Sequence, residues 1–308
     1  MITCLAGGVG AARFLSGLVQ VVPPEEITAV VNTGDDIVLH GLHISPDLDT
    51  VTYTLAGAIN PETGWGLAGE TWSAMQSLDR YGGQSWFRLG DRDLATHMYR
   101  TQRLAEGAPL HEVTAEITKS WGLDLRVIPM SNDRVETRIT LKAGTEIGFQ
   151  QWFVGQQHAT AVSSISFEGA VDSTPAPGVL EAIESADVTV ICPSNPIVSI
   201  GPLLEVPGVA DALIARRDSC VAISPIIAGR ALKGPADSLM SDLGHEPSVM
   251  GVARLYAKFA SVLVVDEADA SRAAVVEAEG IRCVVAPTIM SSPAAAADLA
   301  RATIDAVR

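Results

Sequence analysis

Between Asn32 and Thr50 the chain places four carboxylates within fifteen residues: Asp35 and Asp36 in Asn32-Thr33-Gly34-Asp35-Asp36, then Asp47 and Asp49 in Ser45-Pro46-Asp47-Leu48-Asp49-Thr50. No lysine or arginine stands among them. Carboxylates and water are the usual protein share of a Mg²⁺ site, with substrate phosphate oxygens completing the octahedron. A plainer role competes, because Asp and Asn also form turns and cap helices. Asp49 in particular could cap a helix that begins near Thr50. His40 and His43 lie close by, one residue short of the i,i+4 spacing and without a glutamate-containing zinc motif, and read as structural or substrate-contacting.

A second stretch supplies the phosphate side. Ile2 to Leu18 reads as an apolar strand, a turn of Gly7, Gly8 and Gly10, and a helix with Phe14, Leu15 and Leu18 on one face. Such a junction aims free backbone N–H groups and the positive end of a helix dipole at one point. Gly8-x-Gly10-x-x-Arg13 lacks the third glycine of the dinucleotide fingerprint, and no Lys-Ser/Thr follows to make a Walker loop. A tight turn that binds nothing is the competing reading.

The elements that must position these residues alternate. Thr28–Val31 is a strand running into the Asp35–Asp36 loop, and ligands of open α/β sheets gather outside the carboxyl ends of such strands. Helices are predicted over Thr50–Ala58, Glu70–Leu78, Asp93–Glu106 (with Leu94, Met98, Thr101 and Leu104 on one face) and Leu110–Trp121. Strands follow at Leu125–Pro129, Glu136–Leu141 and Ala159–Phe167. Then come strands Val188–Cys192, Cys220–Ser224, Val262–Val265 and Arg282–Ala286, interleaved with helices Val209–Arg216, Ser248–Phe259, Ala270–Glu279 and Pro293–Val307. This rhythm predicts an α/β, Rossmann-like, mostly parallel doubly wound sheet covered on both faces. Residues 1–50 and 123–308 would form one discontinuous Rossmann-like core, interrupted by a helical insertion over 51–122. The strand-end loops Cys192–Ile200 and Ser224–Lys233 would join the same crevice. Ser199 is an N-cap candidate there, and Arg230 and Lys233 are candidate phosphate contacts.

With 308 residues, 47% of them hydrophobic, and a mean hydropathy of +0.26, the chain has ample material for a core. No apolar run approaches the roughly 18 residues of a membrane span, and no basic leader precedes the first apolar stretch, so a soluble cytoplasmic protein is expected. Four scattered cysteines without a C-x-x-C pair predict buried thiols. A net charge of −15 argues against nucleic acid or an anionic membrane as partner. It also requires a cation or a local basic patch wherever phosphate binds.

The blocks GGVGAARFL, NTGDD, SPDLDT, WFRLGDRD, PSNPIVSIGPLL and SPIIAGRALKG, in this order over nearly the whole chain, resemble the 2-phospho-L-lactate transferase family of coenzyme F-420 biosynthesis. Ala11-Ala12 stands where some members carry another glycine. The resemblance implies a Rossmann-like core with a helical insertion, Mg²⁺ as cofactor, and a homodimer. The implied reaction takes a guanylyl-diphospho donor carrying a three-carbon acid, 2-phospho-L-lactate or phosphoenolpyruvate. It joins the distal phosphate and its acid to the ribityl hydroxyl of the deazaflavin Fo (7,8-didemethyl-8-hydroxy-5-deazariboflavin), releasing GMP.

Residue by residue, the resemblance sets the deazaflavin against Asp49 and Arg88. It gives the metal to Asp35 and Asp49, which are also the candidate catalytic carboxylates. Gly8, Gly10, Ser194 and Asn195 would line the guanosine diphosphate side. The chemistry suits these parts: attack of a hydroxyl on a diphosphate needs charge stabilisation and a proton acceptor, not a covalent intermediate. Two other classes share the fold. UDP-sugar-binding regulators of the same superfamily carry a glycine turn and an aspartate pair but lack SPDxDT and FRLGDxD. An NAD(P)-dependent dehydrogenase would need the missing glycine.

Overall fold

In the computed structural model, which describes residues 1–307, β1 (Ile2–Ala6) passes through Gly7 into α1 (Gly8–Leu18) and returns as β2 (Ile27–Val31). The period-2 alternation of β1 assigns its residues to two cores. Leu5 packs with Val30 and Ile191 on one face, and Cys4 and Ala6 pack with Ala29, Val31 and Val190 on the other. Both faces are covered, as a parallel sheet requires. On α1 the side chains of Phe14, Leu15 and Leu18 are fully buried, each such burial being worth about 1.5–3 kcal/mol.

After β2 the hairpin of β3 (Ile37–Leu39) and β4 (Leu42–Ile44) leads into four helices: α2 (Pro46–Leu55), α3 (Ser73–Arg80), α4 (Asp93–Ala105) and α5 (Leu110–Ser120). The chain re-enters the sheet with β5 (Arg126–Pro129). It then builds a separate antiparallel sheet from β6 (Glu136–Leu141), β7 (Glu146–Gly148) and β8 (Val162–Glu168), with a π-helical turn at Gln151–Gly155. The second half runs α6 (Val179–Ser185), β9 (Val188–Ile191), α7 (Gly201–Glu205), α8 (Val209–Ala215), β10 (Cys220–Ile223), and the small hairpin β11 (Ile226–Ile227) and β12 (Arg230–Ala231). It ends with α9 (Ala236–Asp242), α10 (Val249–Tyr256), β13 (Val262–Val265), α11 (Ala273–Glu277), β14 (Arg282–Val285) and α12 (Pro293–Asp305).

The seven-stranded sheet has the order β14-β13-β10-β9-β1-β2-β5, and every pairing in it is parallel. The chain winds outward from β1 through β2 to β5, then restarts at β9 on the other side. The switch point therefore lies between β1 and β9, where the loops after the two strands part and leave a crevice. The expected α/β doubly wound sheet is thus present. Among the described residues no helix is long and apolar enough to cross a membrane.

Four local expectations are corrected. α2 begins at Pro46 and not near Thr50, because Pro is preorganised for the first helical position. Asp49 is then the fourth residue of the helix and cannot be its N-cap. On α4 the buried residues are Asp93, His97 and Arg100, while Met98 is 60% exposed and Leu94 and Leu104 are half-buried. The apolar spacing pointed to the wrong face, because the charged face is neutralised by partners on α2. Third, α7 starts at Gly201 after Ile200, so Ser199 caps nothing, and fourth, the segment expected as one helix over Ala270–Glu279 is a 3₁₀ turn at Glu267–Arg272 followed by α11.

Candidate active site

At the switch point a cavity of about 630 Å³ opens over the β1–α1 junction. Gly8, with φ of 68°, adopts a left-handed conformation that favours glycine. Gly10 faces a different constraint: a Cβ there would lie 2.1 Å from the carbonyl oxygen of Pro193. Its bareness lets α1 approach the loop after β9. Ser194 Oγ closes that contact by donating to Gly7 O at 2.7 Å. Asn195 Oδ1 accepts from Ile197 N at 2.9 Å, which shapes its own turn, while its Nδ2 is buried without a partner. An unpaired buried donor lining a cavity is costly unless a ligand meets it.

One wall is acidic. Asn32 knits it together, donating from Nδ2 to Asp47 Oδ2 at 3.0 Å while its Oδ1 accepts from Gly34 N at 2.8 Å. Gly8 N–H also donates to the Asp47 carboxylate. Burial, with the nearby charge of Asp36, pushes Asp47 up to about 7 against the pull of Asn32. Burial and the charge of Asp47 hold Asp35 well above the usual carboxylate range. Asp36 is turned to the hairpin, accepting from Ser45 Oγ at 2.7 Å and bonded to His43 Nε2 at 2.9 Å. Asp35 Oδ1 and Asp36 Oδ1 are buried with no hydrogen-bond partner.

That set of carboxylate oxygens fits a hard cation such as Mg²⁺. Among the described residues no three His, Cys, Asp or Glu side chains form a cage by themselves. This suits an ion that is usually bound by one or two carboxylates plus substrate phosphates.

Asp49 stands apart from Asp35 and Asp47. Its two carboxylate oxygens meet the guanidinium of Arg100, Oδ1 with Nη2 and Oδ2 with Nη1 at 3.2 Å. His97 Nδ1 lies 3.7 Å from Asp49 Oδ2, and its Nε2 lies 3.4 Å from Asp93 Oδ2. Tyr53 OH donates to Asp93 Oδ1 at 2.6 Å and accepts from Thr96 Oγ1 at 2.7 Å. Burial raises the Asp49 carboxyl above the ordinary range, and Arg100 and His97 pull it partly back. Burial works on Asp93 too, but the His97 ring and the Tyr53 hydroxyl outweigh it and leave that carboxyl below its usual value. Asp49, Tyr53, Asp93 and His97 all line the cavity.

The same cavity has an aromatic wall. Phe149 before the π turn and Phe153 within it have ring centroids 5.3 Å apart and planes at 10°, and Phe87 and Trp65 add to the same cavity. Gln150 ties this wall to the acidic loop, donating from Nε2 to Asp35 O at 3.1 Å.

The structure brings Gly8, Gly10, Asp35, Asp49, Arg88, Ser194, Asn195 and Lys233 to one cavity. Arg230 is exposed on β12 and is not part of the lining. Arg88 stacks its guanidinium carbon 4.3 Å from the centroid of the Trp72 ring. The rest of its block is architectural. Asp91 accepts from Ser73 N and Ala74 N at 2.9 Å, Glu70 accepts from Arg92 N and Asp93 N at 2.8 Å, and a Cβ on Gly90 would lie 2.1 Å from Glu70. Hydrogen bonds from Thr71 and these amides hold the Asp91 carboxyl at about 2.

Sequence reasoning passed over Arg100, His97, Asp93 and Phe153. The Asp93, His97, Arg100 spacing of one helical face was the available signal for three of them.

The family described as "2-phospho-L-lactate transferase CofD" matches residues 2–288. Curated relatives named phosphoenolpyruvate transferase include that of Kitasatospora aureofaciens, 47% identical over 98% of this chain and 96% of the relative. That of Mycolicibacterium smegmatis is 41% identical over 99% of this chain and 98% of the relative. Among solved structures, protein BH3568 of Bacillus halodurans, described as a member of the UPF0052 family, superposes with a TM-score of 0.62 at 17% identity, covering 97% of this chain and 98% of that one. At that identity the likeness speaks for the fold alone.

Proposed function

This chain belongs to the 2-phospho-L-lactate transferase family, and on that premise we propose that it carries out a transfer step of coenzyme F-420 biosynthesis. The group moved is a phospho-three-carbon acid, taken from a guanylyl-diphospho donor and passed to the ribityl hydroxyl of the deazaflavin Fo, with release of GMP. Phosphoenolpyruvate is the favoured acid, because relatives bearing that name are 40–47% identical to this chain. The observation that carries the reading is the meeting, in one cavity, of a glycine-turn helix start, an acidic wall and a wall of stacked aromatic rings.

The parts divide the work. The α1 N-terminus, Asn195 Nδ2 and Lys233 receive the donor's phosphates. Phe149 and Phe153 offer flat apolar area to a tricyclic ring. Asp35 and Asp47 are the carboxylates that would hold Mg²⁺, while Asp49 stands apart on Arg100. Mg²⁺, when bound, supplies positive charge to the diphosphate oxygens. A ribityl oxygen then forms its bond to the distal phosphorus as the bond from that phosphorus to the GMP oxygen breaks. The hydroxyl proton passes to a cavity carboxylate, for which Asp49 Oδ2, the more loosely held of its two oxygens, is well suited.

Thermal-shift measurements with GDP, Fo and UDP-N-acetylglucosamine, each with and without Mg²⁺, test this reading. Stabilisation by both GDP and Fo is expected, together with turnover that stops in excess EDTA. Stabilisation by the UDP-sugar alone would replace the transferase with a regulator, and full activity in EDTA would remove Mg²⁺.

A further inference from the structure

Arg100 is 2% exposed, sits on α4 in the middle of the helical segment, and directs two donors at one carboxylate of α2. A buried ion pair of this kind adds little net stability, since the cost of desolvating both charges offsets their attraction. A planar guanidinium nevertheless fixes a carboxylate in both position and rotation, which a lysine ammonium does not. The rest of the shell is made of longer contacts. Arg100 Nη1 also lies 3.4 Å from His43 O and 3.4 Å from His97 Nδ1, and His97 in turn stands between Asp49 and Asp93.

We infer that Arg100 is a positioning residue for the acceptor site: it holds Asp49 in the one rotamer that presents the carboxylate's remaining lone pairs to the cavity. An ionised carboxylate has about four lone-pair sites. Two are taken by the guanidinium, and the others are left for a hydroxyl of the acceptor. Because α4 carries Arg100 and α2 carries Asp49, the same pair sets how the insertion stands over the core at this point. The inference rests on the reading that the deazaflavin binds beside Asp49.

The test is a binding cycle on full-length protein, with Fo and GDP titrated separately against wild type, Arg100→Lys, Asp49→Asn and the double variant. Arg100→Lys keeps the charge and loses the fork. It is expected to melt within a few degrees of wild type, to bind Fo at least about tenfold more weakly, and to bind GDP within about twofold of wild type. The double variant is expected to bind Fo no more weakly than Asp49→Asn alone, since Arg100 acts through Asp49. Wild-type Fo affinity in Arg100→Lys, equal losses for Fo and GDP, or additive losses in the double variant would each overturn the positioning role. Wild-type protein that does not bind Fo would overturn the functional reading and this inference with it. If Arg100→Lys does not fold, Asp49→Asn with Arg100→Gln replaces it. A further tenfold loss of Fo affinity beyond that of Asp49→Asn would then overturn the inference.

Discussion

Asn32 Nδ2 stands 3.0 Å from Asp47 Oδ2 and joins two acidic segments that lie fifteen residues apart. The contact holds Asp47 where burial and Asp36 lift its carboxyl to about 7. In the unfolded chain this group is ionised above about pH 4, whereas in the fold it keeps its proton up to about pH 7. The folded state therefore binds more protons across that window, and stability falls as pH rises through it, levelling above pH 7.

Metal-free protein in EDTA is thus expected to melt lower at pH 8 than at pH 5.5. Asp47→Asn, which keeps an acceptor for Asn32, is expected to flatten the profile and raise the pH 8 melting temperature while abolishing transfer. Melting curves of the two proteins across that range settle it, and an unchanged slope in the variant would place the pH dependence elsewhere.

Lys233 and Arg230 lie on one hairpin segment, yet the fold separates them. Lys233 Nζ comes within 3.4 Å of the point where a Cβ on Gly64 would stand, above the glycine turn, and it lines the cavity. Arg230 faces solvent. Lys233→Ala is expected to weaken GDP binding by about ten- to a hundredfold, the usual loss for a hydrogen bond to a charged group. Arg230→Ala should leave it within twofold on the scale of ordinary surface substitutions, about 0.5 kcal/mol. Calorimetric titration of GDP into each variant reads the difference, and similar losses in both would contradict the placement.

Arg88 lies over the Trp72 ring, its guanidinium carbon 4.3 Å from the centroid, and lines the cavity. Arg88→Ala is expected to weaken Fo binding by about tenfold or more and leave GDP affinity nearly unchanged. Trp72→Leu, which removes the stack but not the charge, should give a smaller loss of the same kind. Parallel loss of both ligands in Arg88→Ala would show that it serves the insertion's fold.

The sheet was legible because each of its strands is a short apolar run ended by a turn, and the parallel order follows from the helices between them. The glycine turn and the acidic loops were legible for the same reason, since both sit at strand ends. What escaped was decided by partners distant in sequence. The buried face of α4 is polar because Arg100 meets Asp49, which lies 51 residues earlier, and no local pattern reports such a pairing. Likewise Asp91 and Gly90 belong to a block that reads as a loop, while their work is to cap α3 and to leave room for Glu70. Asp47 reads as one of a pair with Asp49, yet the α2 backbone directs the two to different neighbours: Asp47 to Asn32 and Gly8, Asp49 to Arg100.

Asp49→Asn separates these roles further. Had Asp49 been an N-cap, asparagine would replace it at almost no cost. As the fourth residue of α2, paired with a guanidinium that is 2% exposed, it leaves a buried cation unmatched when its charge is removed. Losing one partner of a buried pair costs about 3–5 kcal/mol, so Asp49→Asn is expected to melt well below wild type. Near-normal stability is expected only when Arg100 is neutralised in the same protein, as in Asp49→Asn with Arg100→Gln. That double variant restores the melting temperature without restoring the carboxylate. Loss of positioned proton transfer is typically worth about 10²–10⁴-fold in rate, so kcat for transfer to Fo should stay at least roughly a hundredfold down in the refolded, stable double variant. Single-turnover transfer measured beside a melting curve distinguishes the two effects. Recovery of both stability and rate in the double variant would reduce Asp49 to a structural partner of Arg100, whereas recovery of stability alone assigns its carboxylate to the reaction.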